Sequence, residues 1–269
     1  MIALHAWRSA AAISRFRQHH PDRPLIVALT GTDLYDYLER DAETTIRSLE
    51  SAHRLVALQE LAQSRLPSRF HSKLRVIHQS AAPLARREPP SSHCFQVAVV
   101  AHLRAVKDPL RAAEAARQLA ATSRLRIVHL GGAHSPEWAA KAKAEMAANP
   151  RYVWRGEVPR AEVARVLGRV KALVLPSQSE GGANVVSEAV VAGVPVLATR
   201  VDGTVGLLGP DYPGYFPVGD TAALAELLHR IETDTGFLTQ LKEAVMQRSS
   251  LFSPERETLA WKMLLEELQ

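Results

Sequence analysis

Two glutamates, Glu180 and Glu188, stand either side of a glycine pair, Gly181 and Gly182, with seven residues between the acids. The run KALVLPS that precedes them, residues 171–177, reads as a buried strand, and NVVSEAVVAG, residues 184–193, reads as a helix. Open α/β sheets bind ligands beyond the carboxyl ends of their parallel strands, which is where this strand delivers the chain. Gly181 and Gly182 let the backbone approach a ligand, and a helix starting near Ala183 and Asn184 offers an anion its free N–H groups and positive dipole end. A carboxylate is a poor phosphate ligand but a good acceptor for sugar hydroxyls. Phosphate at the helix end with hydroxyl-bearing groups on both sides describes a nucleotide sugar. A lone acid on a helix is usually a solvated side chain; strand, glycines and helix start together raise this one above that reading.

The elements that must position these residues follow an α/β alternation. From residue 95 onward, strands at 95–103, 125–132, 152–156, 171–177 and 195–200 alternate with helices at 109–123, 135–149, 159–170, 184–193 and 219–234. Ser135 is an N-cap with Pro136 at the first helical position, and Asp220 or Thr221 caps the helix at 219–234. Continuous apolar strands between helices predict a doubly wound parallel sheet covered on both faces. The first 90 residues predict a second α/β unit of about three strands, at 24–31, 53–59 and 73–79. A Pro-, Ser- and charge-rich linker is expected at 82–93, and a closing amphipathic helix at 253–269 begins with Ser253 as N-cap. The expected domains are 1–88, 89–250 and a final helix at 251–269 that crosses back to the first domain.

Composition narrows the function classes. A chain of 269 residues, 46% hydrophobic and 23% charged, buries a substantial core and is not disordered. No apolar run approaches the roughly 20 residues of a membrane span. The net charge of +5 comes without a basic block, a zinc-finger spacing or an aromatic RNA-binding signature, so no nucleic-acid partner is expected. A single cysteine, Cys94, excludes an internal disulfide framework and suits a reducing cytoplasm. Asp-x-Asp is absent, and the segment TDLYD at 32–36 has the wrong spacing, so no metal is expected.

The stretch PSQSEGGANVVSEAVVAGVPVLAT resembles the donor-binding motif of GT-B glycosyltransferases, in particular the retaining family-4 group with its Glu-x7-Glu signature. The resemblance covers residues 95–267 and includes HLRAVKDP, the GEV turn at Gly156 and PVGDTAALAELL. It implies two Rossmann-like domains and a nucleotide-sugar donor, with no further cofactor. Glu188 would then hold the ribose hydroxyls, Glu180 the donor-sugar hydroxyls, the amides from Gly181 to Asn184 the pyrophosphate region, and Lys107 the diphosphate. Where the family usually has an arginine this chain has His102, and Arg104 two residues on could supply the charge. A departing nucleoside diphosphate can be neutralised without metal by Lys107, Arg104 and a helix end.

The amino-terminal half resembles the acceptor domain. ALHAWRSA is similar to the family strand ending in a histidine beside the cleft, which makes His5 a candidate for acceptor or donor-sugar contact. Arg8, Ser9, Thr32 and Asp33 are further acceptor-side candidates; Arg8 and Ser9 could equally begin a helix, and Thr32 and Asp33 could cap one. The details HAWRSA, TGTDLY, HLRAVKDP, SEGGANV and GLLGPDYPGYFPVGD resemble one subgroup, the selenosugar synthases of selenoneine biosynthesis. That implies transfer of an N-acetylhexosamine from a UDP-sugar to selenophosphate. The family begins with a strand, a Gly-rich loop and a helix ahead of the segment that opens this chain, so the first domain is expected to be incomplete. A non-catalytic nucleotide-sugar-binding remnant and a GT-B sugar epimerase remain alternatives.

Overall fold

A computed structural model describes residues 1–84, 89 and 91–269. The linker expectation at 82–93 and the domain boundary at 88 fall partly on residues 85–88 and 90, outside the described residues.

Two sheets, each wholly parallel in its pairings, form the frame. The first has strands β1 (Ile2–Leu4), β2 (Ile26–Ala28), β3 (Arg54–Ala57) and β4 (Leu74–Val76) in the order β1-β2-β3-β4. The three strands expected from the apolar runs are β2, β3 and β4, and β1 is the strand implied by the resemblance of ALHAWRSA. The second holds β5 (Phe95–Val100), β6 (Leu125–Leu130), β7 (Tyr152–Trp154), β8 (Ala172–Leu175), β9 (Val196–Thr199) and β10 (Tyr215–Phe216) in the order β10-β9-β8-β5-β6-β7. Val97 of β5 pairs with Ile127 of β6 on one side and with Ala172 of β8 on the other. The strand order therefore reverses between β5 and β8, and the crevice outside their carboxyl ends is the predicted ligand position of a doubly wound sheet.

Each face of the second sheet is covered, as its uninterrupted apolar strands require: Ala172, Leu173, Val174 and Leu175 are all essentially inaccessible. The helix Asn184–Val191 turns Val186, Ala189 and Val190 into that core and keeps Glu188 on its outer side. On the first sheet, Leu25, Leu55, Ile13 and Leu49 fill one face. The closing helix Pro254–Glu266 covers the other, seating Leu264 against Ile26, Val56 and Ile77. Its N-cap is Ser253, whose hydroxyl accepts from the Arg256 amide at 3.2 Å.

Beyond that helix, Glu267 accepts from Arg54 Nε at 2.8 Å and from Arg75 Nε and Nη2 at 3.0 and 2.7 Å. The two guanidinium groups hold its carboxyl down at about 2 against an ordinary 4.5. A depressed carboxyl pKa stabilises the fold above its unfolded value and loses that contribution as pH falls through the folded one. The urea midpoint should therefore drop between about pH 5 and pH 2, and Glu267→Gln should flatten that part of the profile.

Candidate functional site

The loops leaving β5 and β8 meet at the switch point. After β5 the chain passes His102 and Arg104 into a 3₁₀ turn, Ala105–Lys107. The Gln178 amide, in the loop after β8, donates to the Val106 carbonyl at 2.8 Å and ties the two loops together. Lys107 Nζ then reaches Glu180 Oε1 at 2.5 Å, with both side chains largely enclosed. The helix that follows starts at Asn184 behind Ala183, which supplies no side-chain cap, so its first amides are left to a ligand or to solvent.

Glu188 faces the same space. Its Oε1 accepts from Asn184 Nδ2 at 3.0 Å and from Arg160 Nη2 at 3.2 Å. Between these groups lies a cavity of about 550 Å³, lined by His102, Arg104, Lys107, Arg160, Asn184 and Glu188 among others. Arg104 Nε and Asn184 Oδ1 are buried there without a hydrogen-bond partner. Arg104, Lys107 and Arg160, the acids Glu157 and Glu188 and an open helix end thus surround one void. It is a pocket for a ligand carrying both negative charge and hydroxyls.

His102 turns Nδ1 to the Gly132 amide at 3.0 Å, which fixes its ring at the cavity wall. Gly156, with φ +71°, stands behind that wall and accepts from the Gly131 amide at 2.8 Å; its neighbours Glu157 and Val158 provide the lining. Below the wall His129 is wholly buried between Tyr152 Oη and the Ala101 carbonyl, each at 2.9 Å. Burial pushes its pKa down to about 4, so it is a neutral packing group under the site.

Gly181 meets the amino-terminal half directly. A Cβ on Gly181 would stand 2.2 Å from the Gly31 nitrogen, and one on Gly31 would stand 2.6 Å from the Gly181 nitrogen. Two backbones touch with no room for a side chain on either, and Gly182 packs on Leu58 beside them. This contact sets His5, Thr32 and Asp33 next to the Glu180 loop. His5 Nδ1 is 2.5 Å from Asp33 Oδ1 and His5 Nε2 is 2.8 Å from Thr32 Oγ1. Burial lowers the His5 pKa, and the opposing pull of Asp33 does not restore it.

Arg8 and Ser9 meet this group only through their backbone amides, which point at His5 Nδ1 and the His5 carbonyl, each at 3.2 Å. Arg8 lines a separate groove of about 1,020 Å³ between the helices Ala10–His19 and Ala42–Ser51, with Arg17 and Arg47. Ser9 donates to the Leu4 carbonyl at 2.7 Å within the turn. That groove is larger than the cavity at Glu188.

Arg160 and the helix Asp202–Leu208 carry no sequence expectation. Arg160 leaves a trace, since a cation in the first turn of a helix opposes the macrodipole and asks for another reason to be there. Gly203 lies against the Glu180 carbonyl and Gly206 against the fully buried Gln59, so that helix wedges between the Glu180 loop and the first domain. Arg65 Nε closes the same seam on Asp202 at 2.6 Å.

No helix among the described residues is long and apolar enough to cross a membrane. Among solved structures the fold matches HepE of Anabaena in complex with UDP, with a TM-score of 0.78 at 15% identity over 99% of this chain and 78% of that one. It also matches sucrose-phosphate synthase of Thermosynechococcus elongatus, with a TM-score of 0.80 at 19% identity over 99% and 73%. A third match is the lipopolysaccharide outer core galactosyltransferase WaaB in its apo form, with a TM-score of 0.73 at 14% identity over 100% and 75%. At these identities the likeness is one of fold, the two-domain GT-B arrangement. The profile of the glycosyl transferases group 1 family matches residues 85–248, well over half of the sequence, and the chain belongs to that family.

Proposed function

We propose that this protein transfers a sugar, an N-acetylhexosamine, from a UDP-sugar to a small nucleophile. The observation that carries the proposal is Lys107, paired with Glu180, in one cavity with Glu188 and the uncapped start of the helix Asn184–Val191. Glu188 holds the ribose hydroxyls in this reading and Glu180 those of the sugar. The amides from Gly181 to Asn184 face the diphosphate, and Lys107 leaves Glu180 for it. The acceptor nucleophile bonds to the anomeric carbon while the bond from that carbon to the diphosphate oxygen breaks. UDP departs with the electron pair, its charge met by Lys107, Arg104 and the helix end. The chemistry needs no metal or organic cofactor, and the family-4 type implies retention at the anomeric carbon.

The subgroup resemblance makes selenophosphate the acceptor and a seleno-sugar the product. The bound UDP of the HepE structure supports a uridine donor. UDP release from UDP-N-acetylglucosamine with selenophosphate, followed by mass spectrometry, tests the assignment. A seleno-N-acetylhexosamine is the expected product. Transfer of the hexosamine only to a sugar or lipid would remove the subgroup, and no UDP release with any acceptor would remove the transferase.

A further inference from the structure

Asp33 is 1% exposed, too enclosed to touch an acceptor, and all its hydrogen bonds run inward. Its Oδ1 accepts from the Trp7 amide at 3.1 Å and its Oδ2 from the Thr30 amide at 2.9 Å. Oδ2 also accepts from Thr30 Oγ1 at 3.2 Å, and His5 Nδ1 lies 2.5 Å from Oδ1. A carboxylate oxygen so placed must receive a hydrogen, so Nδ1 carries it and Nε2 of the neutral ring is a lone pair. The Arg8 amide also aims its N–H at Nδ1, from 3.2 Å, and would need a lone pair there; the much shorter Asp33 contact sets the tautomer against it. His5 is held in this turn with φ +79°, a conformation costly for a residue with a Cβ.

The consequence passes to Thr32. With Nε2 an acceptor, the Thr32 hydroxyl 2.8 Å away must give its hydrogen to the ring. Thr30 Oγ1 stands 3.2 Å from both Thr32 Oγ1 and Asp33 Oδ2 and has one hydrogen to give, which goes to the Asp33 carboxylate. Thr32 is partly exposed and follows Gly31, whose backbone touches Gly181 beside Glu180.

We propose that Asp33 is a positioning residue that locks His5 as the Nδ1–H tautomer, so that Thr32 offers its oxygen as a hydrogen-bond acceptor to one hydroxyl of the transferred sugar. The inference rests on the transferase reading. Lone pairs at this position select a hydroxyl and repel an anion, which places the phosphates on the Lys107 side and the sugar on the Thr32 side. In Asp33→Asn the amide N–H faces Nδ1, the ring takes the Nε2–H tautomer, and the Thr32 hydroxyl reverses.

The test uses the full chain, UDP-N-acetylglucosamine and its monodeoxy analogues. Thr32→Val and Asp33→Asn should each lose about 10- to 100-fold in kcat/KM for UDP release, with Thr32→Ser near wild type and the UDP affinity of all three unchanged. On one deoxy analogue, wild type and Thr32→Val should turn over alike, because the hydroxyl that Thr32 meets is gone. Nitrogen NMR of the ligand-free protein should show His5 Nδ1 protonated and Nε2 bare, a pattern lost in Asp33→Asn. A neutral Nε2–H ring in the wild type, or Thr32→Val with wild-type turnover, overturns the proposal. So does a Thr32→Val penalty equal on every analogue. No UDP release from the wild type would sink the transferase reading and the sugar contact with it, and the His5 tautomer alone would then decide the role of Asp33.

Discussion

Gly203→Ala should cost about 100-fold in turnover and about 1–3 kcal/mol in stability. An alanine Cβ there would lie 1.9 Å from the Glu180 carbonyl oxygen and 2.4 Å from its carbon. Both are backbone atoms, so no rotamer relieves the overlap, and the Glu180 loop or the helix Asp202–Leu208 must shift. That helix is held along the same face by Gly206 on Gln59 and at its start by Asp202 on Arg65. The loop therefore gives way, carrying Glu180 off Lys107 by a distance comparable to an ångström. Gly236→Ala is the control, since its nearest neighbour is a side-chain oxygen at 3.2 Å on a helix surface; wild-type turnover and melting are expected. Steady-state kinetics and urea denaturation of both variants read the difference. Wild-type behaviour of Gly203→Ala would contradict the packing.

The second large effect concerns the Lys107–Glu180 pair. Either single replacement by alanine should abolish UDP release, but their stabilities should not add. Removing Lys107 leaves Glu180, 7% exposed, without its counter-charge, at a cost of about 3–5 kcal/mol. Removing Glu180 leaves Lys107 Nζ without its acceptor, a smaller penalty because the lysine can reach water through the cavity. The double variant carries no stranded charge and should be more stable than Lys107→Ala alone. A double-mutant cycle in urea measures this directly, and strict additivity would show that the pair is not coupled.

The sequence readily exposed those parts of the molecule whose signals are local. Strand β8 is a continuous apolar run and β5, β6 and β9 are predominantly apolar, and both their existence and their burial on two faces follow from that. Glu180, the glycines and Glu188 lie on one loop and one helix, so their convergence is a matter of spacing. β10 was hidden by length, being two residues, and β1 showed only through the resemblance of ALHAWRSA. The helix Thr235–Arg248 was hidden by its neighbour: Asp234 ends the helix Thr221–Thr233 and caps the next, so no loop announces a new element.

The remaining contacts depend on residues far apart in the chain. Gly203 beneath Glu180 and Gly31 against Gly181 have no local signature, and Arg160 shows only as a cation out of place in a first helical turn, because only the folded topology makes these residues neighbours of the site. His5 and Asp33 are an intermediate case. They follow β1 and β2, adjacent parallel strands, so pairing those strands in register would have brought their carboxyl-end loops together.

The most direct measurement of the central claim, that a uridine nucleotide binds at the start of the helix Asn184–Val191, is a calorimetric titration of UDP into the full chain and into Glu188→Ala. Saturable binding by the wild type is expected. In the variant it should be weakened by at least about tenfold, the loss of a charge-assisted hydrogen bond to ribose. Equal affinity in the two proteins, or no binding to the wild type, would contradict the assignment.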